Sequence, residues 1–312
     1  MAATAQQATE ISPRGNLPRL TIGWLGGIIL IVIALPCLLT LPWSLEQYDV
    51  MSETRHASPT WSEPMGTDLH GRSMFWRCLT GGAISLGVGL CAATISVVIG
   101  VTWGAVAGLA GGRVDAVMMR FVDVLYGLPY ILLVVLVKIA LQPAVQSVLG
   151  SAMDKRSAES VASIITLLLA IGGVSWLTMA RVIRGQVLSL RAQPFIEAAR
   201  ACGFGPLRIL RVHLLPNLVG PIVVYTTLTV PTAILQESFL SFLAIGVQPP
   251  LPSWGNLASD GVRELHALAL KGATFKWWLA FWPCALLGLT LLALNFLGDA
   301  LRNRLDPRRL KV

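Results

Sequence analysis

Residues 83–110 read AISLGVGLCAATISVVIGVTWGAVAGLA, twenty-eight positions without a charged side chain, inside a run of thirty-five uncharged residues between Arg77 and Arg113. A helix crossing about 30 Å of hydrocarbon needs about 20 apolar residues, so the stretch is long enough to span a bilayer. Backbone groups cannot stay unpaired in hydrocarbon, which makes the segment a helix. Ala92, Ser96, Gly100, Gly104, Gly108 and Gly112 recur at every fourth position. They form a stripe of small residues where another helix backbone can approach closely, which we read as helix–helix contact rather than part of a solute path.

Working outward, the gaps between charges place further spans at 22–41, 161–180, 218–246 and 277–298. One more, at 116–141, is identified only by its dense apolar run, because Arg120, Asp123 and Lys138 interrupt it. The first span is too long for a signal-peptide core and no A-x-A-like site follows it, so it reads as a retained anchor. The whole 312-residue chain agrees: 54% of its residues are hydrophobic and 13% charged, against about 25% charged in soluble domains. That balance excludes a water-soluble fold and a mainly disordered one. The expected fold is all-α, a polytopic membrane helix bundle with about six transmembrane helices. Residues 1–21 form a cytoplasmic N-terminal segment, 22–300 the six-span domain and 301–312 a cytoplasmic tail.

The net charge of +8 suggests nucleic acid or lipid until its placement is considered. With the N-terminus inside, the inner segments hold fifteen cations and five acids, the outer ones eight cations and nine acids, and Lys138 falls within a span. This is the positive-inside pattern of a multi-pass protein in the cell (inner) membrane, with both termini cytoplasmic and lipid as its surroundings. It argues against nucleic-acid binding. The five cysteines are widely spaced with no CxxC pair, so they read as apolar packing residues rather than a disulfide or zinc framework.

The segment 181–217, RVIRGQVLSLRAQPFIEAARACGFGPLRILRVHLLPN, is basic and interrupted by Gly203, Gly205 and Pro206, a poor candidate for a span. A short helix through 194–202 would begin with a proline tolerated in its first turn and end at a glycine suited to a C-terminal cap. Ala198 and Ala199 would let it enter a groove on a partner, and Gly203 would permit a turn that a side chain hinders. Glu197 and the neighbouring arginines would fix orientation more than affinity. A merely solvated loop would leave Phe195, Ile196, Phe204 and Leu207 without a purpose.

Glu197-Ala198-Ala199, then Gly203, then Leu215-Pro216 resembles the cytoplasmic coupling loop of the permease subunits of ABC importers, in which E-A-A, three residues, G, nine residues, I, one residue and L-P recur. His213 stands at the isoleucine position, and R-x-H-L-L-P-N looks like the peptide-importer version. Gly66 to Arg72, GTDLHGR, resembles the G-T-D-x-x-G-R-D of dipeptide/oligopeptide-type importers, with Ser73 in place of the final aspartate. LSFL at 240–243, GVQPP at 246–250 and PSWG at 252–255 resemble the family's outer loop after the fifth span, and LDPR at 305–308 its end. The resemblance implies a permease subunit working with a second permease subunit, ABC ATPase subunits and an extracytoplasmic solute-binding protein. ATP and Mg would then be cofactors of the partner ATPases, with none on this chain, and the cargo a di- or oligopeptide. Related importers also move nickel, glutathione or other small solutes.

The chain has no GxxxxGK[ST] phosphate loop, so it offers no recognisable cradle for ATP phosphates. It has no HExxH pair either, and its four histidines are far apart in sequence. Both absences argue against an enzyme, and no metal site is expected. Asp123, Lys138 and Glu237 fall in or near spans, where a charge is costly and faces protein or water. We take Asp123 and Glu237 as candidates to line or gate a path, with Tyr126 and Pro129 shaping a local bend; buried polar contacts are the competing reading. The same charges motivate an ion-coupled secondary transporter as the alternative mechanism. Trp277, Trp278 and Trp282 read as an interfacial anchor, and Pro249, Pro250 and Pro252 as a stiff exterior loop.

Overall fold

A computed structural model describes residues 19–151, 154–271 and 276–305. Of the terminal segments, only 19–21 and 301–305 fall within it, and the motif at 305–308 lies almost wholly outside. The described residues are helical, and their only extended pairings are the isolated bridges Met51 to Arg72 and Thr67 to Ser73. Eleven α-helices follow in order: α1 Arg19–Leu39, α2 Leu41–Gln47, α3 Met74–Ala110, α4 Gly112–Tyr126, α5 Tyr130–Leu149, α6 Lys155–Arg191, α7 Pro194–Ala201, α8 Pro206–Ile209, α9 Leu215–Phe242, α10 Trp254–Lys271 and α11 Trp278–Leu305, with a π-helical turn Leu210–Leu214 leading into α9.

Five of these helices are long and apolar enough to cross a membrane, and α1 with α2 makes a sixth candidate bent by 63°. The all-α polytopic bundle expected from the sequence is therefore present. One span is corrected. The stretch 116–141 is not a single helix, because α4 stops at Tyr126 and α5 starts at Tyr130. Pro129 disfavours helical backbone at Leu128 and has no N–H to give, which separates the two at the bend that Tyr126 and Pro129 suggested. The crossing helix is Tyr130–Leu149, so Arg120 and Asp123 ride on α4 and only Lys138 stays within the span. Burial of Lys138 has a partner: its ammonium donates to the carbonyls of Ile245 and Gly246, in the turn that follows α9. A cation there offsets the negative end of that helix.

The centre of the bundle is the α3–α6 pair, in which the two helices run parallel. A β-carbon added at Gly100 would lie 2.5 Å from Met179 Cβ, at Gly104 2.4 Å from the Ala180 carbonyl oxygen, and at Gly108 2.8 Å from Val187 Cβ. Ala92 and Ser96 of the same stripe are fully buried. Small residues thus bring two backbones together as the spacing implied. Gly112 departs from the pattern: it opens α4 at φ +55° with nothing within 4 Å of its β-carbon position. Helix α9 joins the pair, and α1 lies antiparallel on α11 through Gly23 against Ala300 and Gly26 against Ala293. Trp24, Ile28, Ile31 and Leu35 of α1 point away from the bundle, as a lipid-facing helix requires.

At the end of the bundle opposite α7, residues 50–73 fold into a strap across the start of α3, and GTDLHGR explains its shape. Gly66 and Gly71 take φ +76° and +79°, a region costly for residues with a β-carbon. Asp68 accepts from the backbone N–H of His70 at 2.8 Å and Arg72 at 2.9 Å, from Arg72 Nε, and from the buried Arg77. Burial pushes the Asp68 carboxyl up, but Arg77 and Arg72 outweigh it and hold the group below its ordinary range. Ser73, where the resemblance leads one to expect an acid, donates at 2.6 Å to Glu63, so a carboxylate still stands near the α3 N-terminus. Helix α10, which sequence reading left as exterior loop, packs on α9 and α11; its first residue, Trp254, is fully buried and donates from its indole to the Cys78 carbonyl at 3.0 Å.

Candidate functional site

The segment 181–217 resolves into three pieces. Residues up to Arg191 prolong α6, residues from Pro206 lead into α9, and α7 stands between them as a knuckle at one end of the bundle. Pro194 occupies its first turn. Its end is closed by Phe204 N–H donating to Ala199 O at 3.1 Å and Gly203 N–H to Arg200 O at 2.9 Å, the Schellman arrangement that needs a left-handed residue. Gly203 supplies it at φ +79°, with nothing within 4 Å of its β-carbon position. The demand on this glycine is conformational rather than steric. Gly203→Val is therefore expected to cost about 1–2 kcal/mol locally and Gly203→Asn less. Solute uptake should fall several-fold further in the valine variant than in the asparagine one, with membrane insertion of both unchanged; equal uptake in the two would refute this.

The knuckle has two faces. Ile196 and Ala199 are buried with Ile183 and Val187 of α6, with Ile209 of α8, with Leu214 of the π-helical turn and with Leu218 of α9. Leu215 packs against the same cluster, and Pro216 is exposed in the first turn of α9. Glu197 and Ala198 are exposed, alongside Phe195 (41%) and Leu207 (57%). Of the apolar residues that argued against a solvated loop, Ile196 and Phe204 pack inward, while Phe195 and Leu207 leave apolar surface beside the small Ala198. His213 is held in aromatic contact: its ring stacks on Phe204 with centroids 5.9 Å apart and meets Phe195 at 6.4 Å, and Arg208 lies 4.1 Å over Phe204. A flat ring at the isoleucine position thus ties the outer face of α7 to the root of α9.

The other two candidates are separated. Asp123 is exposed on α4 and accepts at 2.8 Å from Arg181 of α6, whose guanidinium also lies 3.8 Å over the Tyr126 ring. One turn nearer the knuckle, Arg184 pairs with Asp115 through two hydrogen bonds. Glu237 is fully buried. Its carboxylate accepts from Ser241 at 2.7 Å and Ser238 at 3.2 Å, with the Ser85 and Ser253 side chains beside it. It joins α3, α9 and the start of α10 in one polar knot.

Beside Tyr126 lies a feature that charge-seeking sequence analysis missed. An open cavity of about 580 Å³ sits between the α4–α5 bend, α6 and α9, with Tyr130, Ser175, Tyr225, Thr229, Thr232 and Gln236 among its lining residues. Glu237 does not line it; its neighbour Gln236 does. Tyr130 donates to Gln236 Oε1 at 2.6 Å, and its hydroxyl lies 3.2 Å from Ser175 Oγ. Among the described residues no group of His, Cys, Asp or Glu is arranged to hold a metal.

A helical bundle of five or six candidate spans, with a compact knuckle at one end, has the architecture of a polytopic membrane protein. Residues 100–311 match the family described as binding-protein-dependent transport system inner membrane component. The chain is 44% identical over 243 residues to the dipeptide transport system permease protein DppC of Bacillus subtilis, covering 78% of this chain and 68% of that one. It is 40% identical over 284 residues to the oligopeptide transport system permease protein OppC of Escherichia coli, covering 90% and 85%. OppC of Haemophilus influenzae gives 38% over 283 residues, covering 90% and 81%. The chain belongs to this family of inner-membrane transport components. A chain from the inward-facing MetNI methionine ABC transporter shares the fold, with a TM-score of 0.54 and 19% identity over 75% of this chain and 98% of that one.

Proposed function

We propose that this chain is one permease subunit of an ATP-driven importer of short peptides, pairing with a second permease subunit, two ATPase subunits or domains, and an extracytoplasmic solute-binding protein. ATP and Mg belong to the ATPases, and this chain carries the solute path and the lever that moves it. The observation that carries the reading is the two-faced knuckle: Ile196 and Ala199 lock α7 to α6 and α9, while Glu197, Ala198, Phe195 and Leu207 are left exposed. A short helix bearing a small residue among apolar ones and an orienting charge suits a groove on a partner. The distribution of Lys and Arg supports placing the α7 end in the cytoplasm. The peptide cargo is supported by the names of the relatives. The charges that motivate an ion-coupled alternative each have a structural partner, Asp123 in Arg181, Lys138 in two carbonyls and Glu237 in serines.

Cys202, exposed at the end of α7, gives a direct test. In membranes containing the whole transporter, a thiol crosslinker at Cys202 should join this chain to a nucleotide-hydrolysing subunit, and Cys202→Ser should abolish that product. A knuckle that meets no such subunit at any stage of turnover sinks the proposal.

In the same reading, Asp123 and its Arg181 partner gate the inner mouth of the path, and Glu237 holds the helices around it in register. Because the Asp123 pair is solvent-exposed it contributes little to stability, about 0–1 kcal/mol, so Asp123→Asn should alter uptake without altering assembly. Glu237→Gln, which keeps the shape of the knot, should reduce uptake as well. Wild-type uptake in both variants at normal abundance would remove the two residues from the mechanism.

A further inference from the structure

The α4–α6–α9 cavity has a chemistry of its own. Its volume of about 580 Å³ lies within the roughly 300–1,000 Å³ of small-ligand sites. Every polar side chain that lines it is a hydroxyl or an amide, and none carries a formal charge at neutral pH. The charges begin just beyond it, at the Arg181 that covers Tyr126. A bare metal ion or a compact anion would find no compensating charge here and would lose its hydration uncompensated. A neutral group able both to donate and to accept hydrogen bonds would find partners for both roles.

Three residues from three helices meet at the wall. Tyr130 at the start of α5 spends its proton on Gln236 Oε1 of α9 and lies within hydrogen-bond distance of Ser175 of α6. Gln236 Oε1 is thereby occupied, and the amide is fixed with its Nε2 group lacking a protein acceptor among the described residues. Thr229 and Thr232 of α9 turn their hydroxyls back onto the Tyr225, Leu228 and Thr229 carbonyls of their own helix. Of the remaining groups, which also include the hydroxyls of Tyr126, Thr178 and Tyr225, Gln236 Nε2 is a donor oriented by its partner and Ser175 Oγ a hydroxyl beside it able to accept.

We propose that Tyr130, Ser175 and Gln236 form a peptide-group subsite in the solute path, in which Gln236 Nε2 donates to a cargo backbone carbonyl and Ser175 Oγ accepts from a cargo backbone N–H. The site reads the amide repeated along every peptide and ignores side chains, as a carrier of varied peptides requires. Tyr130 is the positioning residue, setting the orientation of the Gln236 amide. This inference rests on the peptide-importer reading above and adds the residues that contact cargo.

The test uses the complete transporter in proteoliposomes with its binding protein. Uptake of tri-alanine is compared with that of the same tripeptide bearing an ester in place of one of its two amides, and expressed per ATP hydrolysed. Wild type should prefer the amide by roughly tenfold, the scale of one hydrogen bond whose site partner is otherwise left unmet. Ser175→Ala should lower tri-alanine uptake and bring the preference close to one, whereas Gln236→Leu, which removes the donor to a carbonyl that amide and ester share, should lower uptake of both compounds. Tyr130→Phe, which keeps the ring, should lower uptake of both compounds partway, and ATP hydrolysis by each variant reports that its complex has assembled. A Ser175→Ala variant that keeps the wild-type preference, or a Gln236→Leu variant with wild-type uptake, overturns the subsite while leaving the importer reading intact. A wild-type transporter that takes up neither compound overturns both.

Discussion

Ala198→Trp is expected to leave a folded, inserted protein that no longer transports. Ala198 is exposed on the outer face of α7, whereas the residue beside it, Ala199, is buried in the seam that holds α7 to the bundle. A large ring at 198 therefore stays on the surface without entering the seam, but would stand between the knuckle and any partner seated on it. Losing a central contact in an interface costs about 2–4 kcal/mol, so uptake and crosslinking through Cys202 should both fall roughly thirtyfold or more. Abundance and melting temperature of the subunit in detergent should match wild type. Full uptake in this variant would mean that the outer face of α7 is not where force enters.

Gly104→Leu is expected to fail earlier, at folding. A β-carbon there would sit 2.4 Å from the Ala180 carbonyl oxygen and 3.0 Å from the Arg184 nitrogen. Both are backbone atoms of a helix and cannot swing aside, so α3 and α6 must part and give up their close contact. Overpacking of this kind costs about 1–3 kcal/mol and more where nothing yields. Gly87→Leu on the same helix is the control, since nothing lies within 4 Å of that position. Monodisperse protein recovered from membranes should drop severalfold for the first variant and not for the second, and similar recovery of both would show that the α3–α6 seam is not limiting.

How much of this was readable beforehand follows from what hydropathy can and cannot encode. The spans were legible because charge-free runs of membrane length have few other uses, and the stripe from Ala92 to Gly108 because a four-residue period marks one face of a helix. The break at 127–129 was legible only in part: Pro129 announced a bend, but the apolar run continued across it, and hydropathy does not register a missing N–H. Helix α10 was missed because Asp260, Arg263 and Glu264 give it the charge density of a loop, and its burial comes from α9 and α11, remote in sequence.

The cavity residues show the same limit at the scale of one position. Successive residues on a helix point about 100° apart, so Gln236 lines the cavity while Glu237 turns into the serine knot. In a helix apolar on all sides no amphipathic period tells which residue faces which way, and attention to charge led to Glu237 rather than to the Gln236 that lines this cavity. The knuckle was more legible, because proline, small residues and a left-handed glycine are local requirements that no distant contact has to supply. What the spacing did not convey was the division of the two alanines, Ala198 outward and Ala199 inward.

The seating of α7 has one more consequence. Ile196 and Ala199 grip α6 near Ile183 and Val187, and α9 near Leu214 and Leu218. Those same two rods carry Ser175 and Gln236 farther along, Ser175 about 18 Å up the axis from Val187 at 1.5 Å per residue. Whatever grasps the knuckle therefore holds the stems of two walls of the chamber at once. A tilt imposed at the base would reach Ser175 and Gln236 as a change in their separation, with no hinge needed in between.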